Sequence, residues 1–339
     1  MCYQGKSMCH WGKGETIMKD ILEDYYKQEF QNKGFHLNKH NKDFCKIGTT
    51  WQLDPSIGEG FYWIYSQKNL FDIKIHEFYF HEDTILNFHM PECLSIMVYD
   101  SISGEELSPY RRIQAGCVKT MIGNQQPVKF LIHKNIPIKS IGIEIMPAYY
   151  EDYLKKQFPQ EYYDPSQAFI DIDGTFDFPE MKQLLHQMQS YRGQGLSAQL
   201  FYEGKVAEAI GLIVDYHQLH HDVAKEKRLS EHDKVQIEIV TAFLNDHYAQ
   251  ENPLKELIKI ACMSKTKLQV IFKQHHACTI TEYIQQRRIS QAEYLLSNTD
   301  LPIGQIALSV GYTKASRFSE LFKRSTGLMP GEFRKMAQR

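Results

Sequence analysis

The C-terminal third of the chain repeats itself, and that repeat constrains the fold more than any other feature. At an offset of fifty residues, Leu268 meets Phe318, Phe272 meets Phe322, Lys273 meets Lys323, Glu282 meets Glu332 and Tyr283 meets Phe333. Further upstream the offset becomes forty-nine: Leu257 aligns with Ile306, Cys262 with Gly311, Met263 with Tyr312, Ser264 with Thr313 and Lys265 with Lys314. Self-similarity at this period marks a duplicated supersecondary unit.

Each copy reads as a short helix (Leu254 to Ala261; Ile303 to Val310), a tight turn, a hydroxyl residue suited to capping (Ser264; Thr313) and a second helix. In the first copy Leu268, Ile271 and Phe272 share one face at helical spacing, which leaves Lys265, Thr266, Lys267, Gln269 and Lys273 on the other. In the second copy Phe318, Leu321 and Phe322 point inward, leaving Lys314, Ala315, Ser316, Arg317, Ser319, Glu320 and Lys323 outward. Between the copies Ile280, Tyr283, Ile284, Ile289, Ala292, Leu295 and Leu296 recur at threes and fours, predicting one long connecting helix that ends near Pro302. The pattern is a helix-turn-helix, twice, on a stiff spacer. Small polar and cationic side chains on an exposed second helix suit the DNA major groove, although Glu320 repels phosphate.

Charge supports that reading. The chain as a whole carries a net of −2, yet from Asp233 onward 15 Lys and Arg face 10 Asp and Glu, a local net of +5 on a body of −7. A basic segment favours a polyanionic partner. The seven cysteines are scattered and never paired as Cys-x-x-Cys, which argues against a disulfide framework or zinc cluster. No apolar run is long enough to span a bilayer and the first residues lack a secretion signal, so a cytoplasmic chain is expected, with no membrane contact.

The rest of the chain changes period. A helical stretch from Thr16 to Phe30 and a polar connector are expected first. From Phe71 the period is two: Phe71, Ile73 and Ile75 alternate with polar residues, as do Val128, Phe130 and Ile132 and again Ile141, Ile143 and Ile145. With Cys93 to Tyr99 and Gly116 to Ile122 these predict short strands of a small barrel or sandwich enclosing a cavity. Helices are predicted over Tyr149 to Phe158, Pro179 to Tyr191 and Ala198 to His220, the last with an apolar stripe of Leu200, Phe201, Ala207, Ile210, Leu212 and Ile213 that needs a partner surface.

The segments Ser264 to Lys273, Ile306 to Tyr312, Phe318 to Arg324 and Gly327 to Arg334 closely resemble the AraC family of transcription regulators. The resemblance spans roughly Ser230 to the last residue. It implies a seven-helix DNA-binding domain, double-stranded DNA and RNA polymerase as partners, and base contacts from Thr266, Gln269 and Val270 in one unit and Ala315, Ser316 and Glu320 in the other. Val270 and Glu320 depart from the cationic residue common there, which removes a guanine contact.

The implied architecture is α+β: a cupin-like β-barrel sensor with a helical dimerisation segment, then an all-α domain with two helix-turn-helix units. The expected boundaries are a helical or irregular extension at 1–60, a sensing and dimerisation domain at 61–222, a linker at 223–232 and the DNA-binding domain at 233–339. Ile141 to Tyr150 and Leu200 to Ile210 resemble the ferric-siderophore-responsive subgroup, which makes a siderophore the expected small-molecule effector of a homodimeric activator, with sugar, aromatic-acid or peptide effectors as rivals. A constitutive DNA-binding factor is a further alternative. An adaptive-response regulator with a methyl-accepting cysteine needs four clustered cysteines, and Cys2, Cys9 and Cys45 are too few and too spread. His76, His81 and His89 lack the spacing of cupin metal ligands, and Asp171 to Gly174 lacks the closing Glu of a calcium loop, so neither cofactor, metal nor enzyme activity is expected.

Overall fold

The computed structural model describes residues 25–39, 43–107, 110–124, 126–160, 162, 164–220, 230–251, 254–276 and 278–339. The helix expected from Thr16 lies mostly outside them; the described part is α1 (Lys27–Asn32). Strands follow as β1 (Phe35–Leu37), β2 (Thr49–Leu53), β3 (Gly58–Gln67), β4 (Phe71–Phe80), β5 (Thr84–His89), β6 (Cys93–Ser101), β7 (Gly104–Leu107), β8 (Tyr110–Arg112), β9 (Val118–Gly123), β10 (Pro127–Ile132) and β11 (Ile138–Ile145).

The strands form two sheets. One has the order β1-β2-β3-β4-β11-β6-β9 and the other β5-β10-β7-β8, and the described ladders are antiparallel. No ladder joins the two among the described residues, so they stack face to face rather than closing into the expected cupin-like barrel. Among the described residues the strands begin at Phe35, inside the stretch expected to be helical or irregular. Phe35, Trp51 and Leu53 are buried in the inter-sheet core, but the strands that carry them are too short to show a period.

Alternation explains the layering. On β4 and β11, Phe71, Ile73, Ile75, Ile141, Ile143 and Ile145 point to one side and pack against helices, in a core that also holds Met181, Leu184, Leu185, Tyr202 and Val206. These come from α4 (Pro179–Ser190) and α5 (Gly195–His220), which follow a π-helical turn (Ala148–Tyr153), α2 (Leu154–Gln157) and α3 (Ser166–Asp171). The stripe expected on α5 therefore meets its own body, since Ile210 and Ile213 are buried there. Leu196, Leu200 and Ala207 stay exposed.

The other face of β4 carries Asp72, Lys74, His76, Phe78 and Phe80 into the space between the sheets. The register sets Glu144 opposite Asp72 and Ser140 opposite His76. Lys74 pairs with Glu144, Tyr26 donates to the same carboxylate, and Ser66 donates to Asp72. Burial raises the Asp72 carboxyl to about 7, against the attraction of Lys74 and with the help of Glu144. A carboxyl whose folded pKa lies above its unfolded value contributes stability below the unfolded pKa, and that stability is lost as pH rises through the folded one. Between about pH 4 and 7 the melting temperature is expected to carry a downward slope from this group, and Asp72→Asn flattens it. Parallel pH profiles for parent and variant would contradict the assignment.

Seven helices complete the chain among the described residues: α6 (Glu231–His247), α7 (Leu254–Ala261), α8 (Lys265–His276), α9 (Ile280–Asn298), α10 (Ile303–Ser309), α11 (Ala315–Thr326) and α12 (Pro330–Ala337). Residues 221–229, which include most of the expected linker at 223–232, lie outside the described residues; α6 starts at Glu231, capped by the Ser230 side chain accepting from the Asp233 amide.

Candidate nucleic-acid interface

In the first unit α7 crosses to α8 over a core of Leu257, Ala261, Leu268, Ile271 and Phe272 with Ile237, Val240 and Leu244 of α6. In the second, Ile306, Ala307, Phe318, Leu321 and Phe322 do the same with Ile289, Ala292 and Leu296 of α9 and Phe333 of α12. Burying one such Phe side chain stabilises a domain by about 1.5–3 kcal/mol, so each unit is held by its apolar face and leaves the opposite face free.

The two turns solve the same backbone problem with different residues. Gly311 has φ 90°, and its counterpart Cys262 has φ 50°, a left-handed conformation that costs a side-chain-bearing residue about 1–2 kcal/mol. Cys262→Gly is expected to raise the stability of the C-terminal domain by about 1 kcal/mol, read as an upward shift in its thermal midpoint. An unchanged or lower midpoint would show that the turn carries no such strain. The expected caps are half realised. The Ser264 side chain accepts from the Lys267 amide at 3.3 Å, whereas α11 begins at Ala315 behind Lys314, so Thr313 lies one residue too early to cap it.

The candidate DNA-contacting side chains lie where the alternating burial of the second helices puts them. Lys265, Thr266, Lys267, Gln269, Val270 and Lys273 are exposed on α8, and Lys314, Ala315, Ser316, Arg317, Glu320 and Lys323 are exposed on or just before α11. Three are already engaged. Lys267 reaches the Asp233 carboxylate at 2.7 Å, which with Ser230 holds that carboxyl below the usual range, and Arg317 meets Glu320 at 2.9 Å, one helical turn on. The Arg317 guanidinium offsets the repulsion that Glu320 alone would present to a phosphate.

What the periodicity did not reveal is how the two units are tied. Arg288, on α9, donates to the carbonyls of Tyr248 and Gln250 after α6 at 2.7 and 3.1 Å and to the carbonyl of Gly311 in the second turn at 2.9 Å. Its guanidinium also stacks 5.3 Å over the Tyr312 ring. One cation thus bonds both units, across a helix of nineteen residues that measures about 28 Å. The adjacent arginines 287 and 288 inside an apolar period were the available signal.

α9 also seats the domain on the strand body. Glu293 is buried, forms a bidentate ion pair with Arg112 of β8 and accepts from Ser103 at 3.1 Å, while Arg112 also donates to Ser290 at 3.1 Å. Beside it the Ile102 and Ala115 amides donate to the Thr326 and Ser325 carbonyls at 3.3 and 2.8 Å, and Arg324 lies 4.5 Å over Phe176. Gly327 ends α11 at φ 83°, and a Cβ there would lie 1.9 Å from the Asp100 carbonyl oxygen. The C-terminal end of α11 is covered while its N-terminal half stays open.

The three histidines of the strand half that could have served as metal ligands have separate surroundings. His76 bonds Ser140, His81 lies 3.1 Å from the Pro55 carbonyl, and His89 is exposed. No group of His, Cys, Asp or Glu fit to hold a metal occurs among the described residues. Asp173, in the turn from Asp171 to Gly174, is held by Arg111, Lys119 and the Thr120 amide. The five described cysteines are all free thiols. No helix among the described residues is long and apolar enough to cross a membrane.

Residues 257–336 match the family model described as a helix-turn-helix domain. The arabinose operon regulatory protein of Escherichia coli (strain K12) is 34% identical over 93 residues, covering 27% of this chain and 32% of that protein. The bifunctional transcriptional activator/DNA repair enzyme AdaA of Bacillus subtilis (strain 168) is 33% identical over 106 residues, covering 31% of this chain and 50% of that protein. A solved transcriptional regulator with an AraC-type DNA-binding domain from Chromobacterium violaceum is 20% identical, covering 31% of this chain and 95% of that one, with a TM-score of 0.30. The chain thus spans a third to a half of these two curated relatives. Its C-terminal helices form a helix-turn-helix domain, the arrangement that the AraC resemblance implies.

Proposed function

We propose that this chain is a sequence-specific DNA-binding transcription regulator of AraC type, switched by a small molecule held in its strand half. The observation that carries the reading is the pair of helix-turn-helix units, each exposing the polar and cationic start of its second helix and both bonded by Arg288. Two readers on one rod fit successive major grooves of an asymmetric site. The candidate base contacts are Thr266, Gln269 and Val270, then Ala315, Ser316 and Glu320, with the flanking lysines and Arg317 serving the phosphates. Contact with RNA polymerase, action in the cytoplasm as an activator, and pairing of two copies through the exposed Leu196, Leu200 and Ala207 of α5 belong to the same reading. Catalysis does not.

A ferric siderophore is the effector that the sequence resemblance suggested, and a sugar is the one that an arabinose-operon relative suggests. The space between the sheets is about 140 Å3, well below the range of about 300–1,000 Å3 that suits drug-sized ligands, which disfavours a bulky chelate.

Selection of duplexes from a random pool by the full chain, followed by footprinting, tests the reading. A bipartite protected site is expected, and Gln269→Ala is expected to weaken it by about 1–3 kcal/mol while leaving the fold intact. Recovery of no preferred sequence would overturn it.

A further inference from the structure

The cavity between the sheets has walls that are almost wholly apolar and aromatic, among them Phe78, Phe80, Phe88, Met97, Phe130 and Ile132. The charges that reach it are matched to one another: Lys74 with Glu144, and Lys33 with Glu29. His76 is different. It lines the cavity, its Nδ1 lies 2.9 Å from the Ser140 hydroxyl, and its Nε2 has no hydrogen-bond partner. Burial and the neighbouring Lys74 hold the ring neutral, with its pKa lowered to about 3. An unpaired polar atom in an apolar chamber costs about 1–3 kcal/mol until something satisfies it.

Size, lining and this unsatisfied buried nitrogen together narrow the occupant. An apolar cavity of about 150 Å3 accepts a molecule the size of benzene. An ionised ligand would lose its hydration and find no unpaired counter-charge. A sugar would bring hydroxyls all round its ring to walls that, beside the two ion pairs, offer only His76 Nε2 and the Tyr62 and Tyr99 hydroxyls among apolar side chains, and each hydroxyl left over carries a desolvation cost.

We propose that the cavity takes a compact, uncharged, single-ring aromatic molecule bearing one hydroxyl, with its ring among the Phe and Met side chains and its hydroxyl bonded to His76 Nε2. This rests on the reading of the strand half as the sensor, and it adds the chemical class of the effector and a route for its signal. Ile102 and Ile113 line the cavity. Their chain neighbours Ser103 and Arg112 hold Glu293, and the Ile102 amide bonds the end of α11. A ring pressing on those two isoleucines presses on the seat of the DNA-binding domain.

The test uses the full chain with phenol as probe, toluene and L-arabinose as comparisons, and calorimetry as the readout. Phenol is expected to bind one to one with a dissociation constant of about 1 mM or tighter. His76→Phe is expected to weaken phenol about tenfold and to leave toluene unchanged, and His76→Gln, which keeps a hydrogen-bonding atom there, retains most of the phenol affinity. Absence of phenol binding, arabinose binding more tightly than phenol, or equal phenol affinity in parent and both variants would each overturn the assignment. DNA affinity measured on the same preparations separates the two readings. Phenol bound with DNA affinity unchanged would remove the signalling route and keep the ligand class, whereas absence of sequence-selective DNA binding in the parent both with and without phenol would remove the regulator reading itself.

Discussion

Arg288→Met is expected to abolish the bipartite footprint while leaving each helix-turn-helix unit folded. The substitution keeps the apolar stem and removes the three hydrogen bonds that the guanidinium makes to the Tyr248, Gln250 and Gly311 carbonyls. Charge-assisted bonds contribute about 1.5–3 kcal/mol each, and their loss also strands the acceptors, so a destabilisation of about 3 kcal/mol in urea unfolding is expected. The effect on DNA is of a different kind. With the link broken, one unit engages while the other searches, so affinity for the selected site falls by about a hundredfold and only one half stays protected. Protection of both halves at the parent's affinity would show that packing along α9 alone fixes the spacing.

The second large effect lies at Arg112 and Glu293. Both side chains are almost fully withdrawn from water, with 1% and 6% of their surface exposed. Breaking one partner of such a pair leaves an uncompensated buried charge, and Arg112→Met or Glu293→Met is expected to cost about 3–5 kcal/mol. The double variant restores most of that loss, because two well-packed apolar side chains replace the pair without a stranded charge. Additive losses in the double variant would show that the two charges act independently.

The helical half was legible because duplication, period and turn residues agreed. The expected helix Leu254 to Ala261 coincides with α7, and the inward residues of both second helices are the buried ones. Cap chemistry was less secure, since a one-residue slip at Lys314 separates Thr313 from the helix it was expected to cap. The strand half misled in an instructive way. Asp72, Lys74 and His76 alternate with apolar residues like a solvent face, yet they line the interior, because α3 to α5 cover the apolar side and the second sheet covers the polar one. Period-two patterning separates two faces without saying that either is wet. Arg112 and Glu293 meet across 181 residues of chain, a distance over which no local pattern carries information.

One helix, α9, bears both attachments: Glu293 fastens it to the body, and Arg288 fastens the two readers to each other. Leverage from the body therefore acts on the pair as a single object. Tilting this axle swings both reading heads through the same arc and leaves the gap between them as it was, so the strand half governs where the pair aims rather than how widely it reaches.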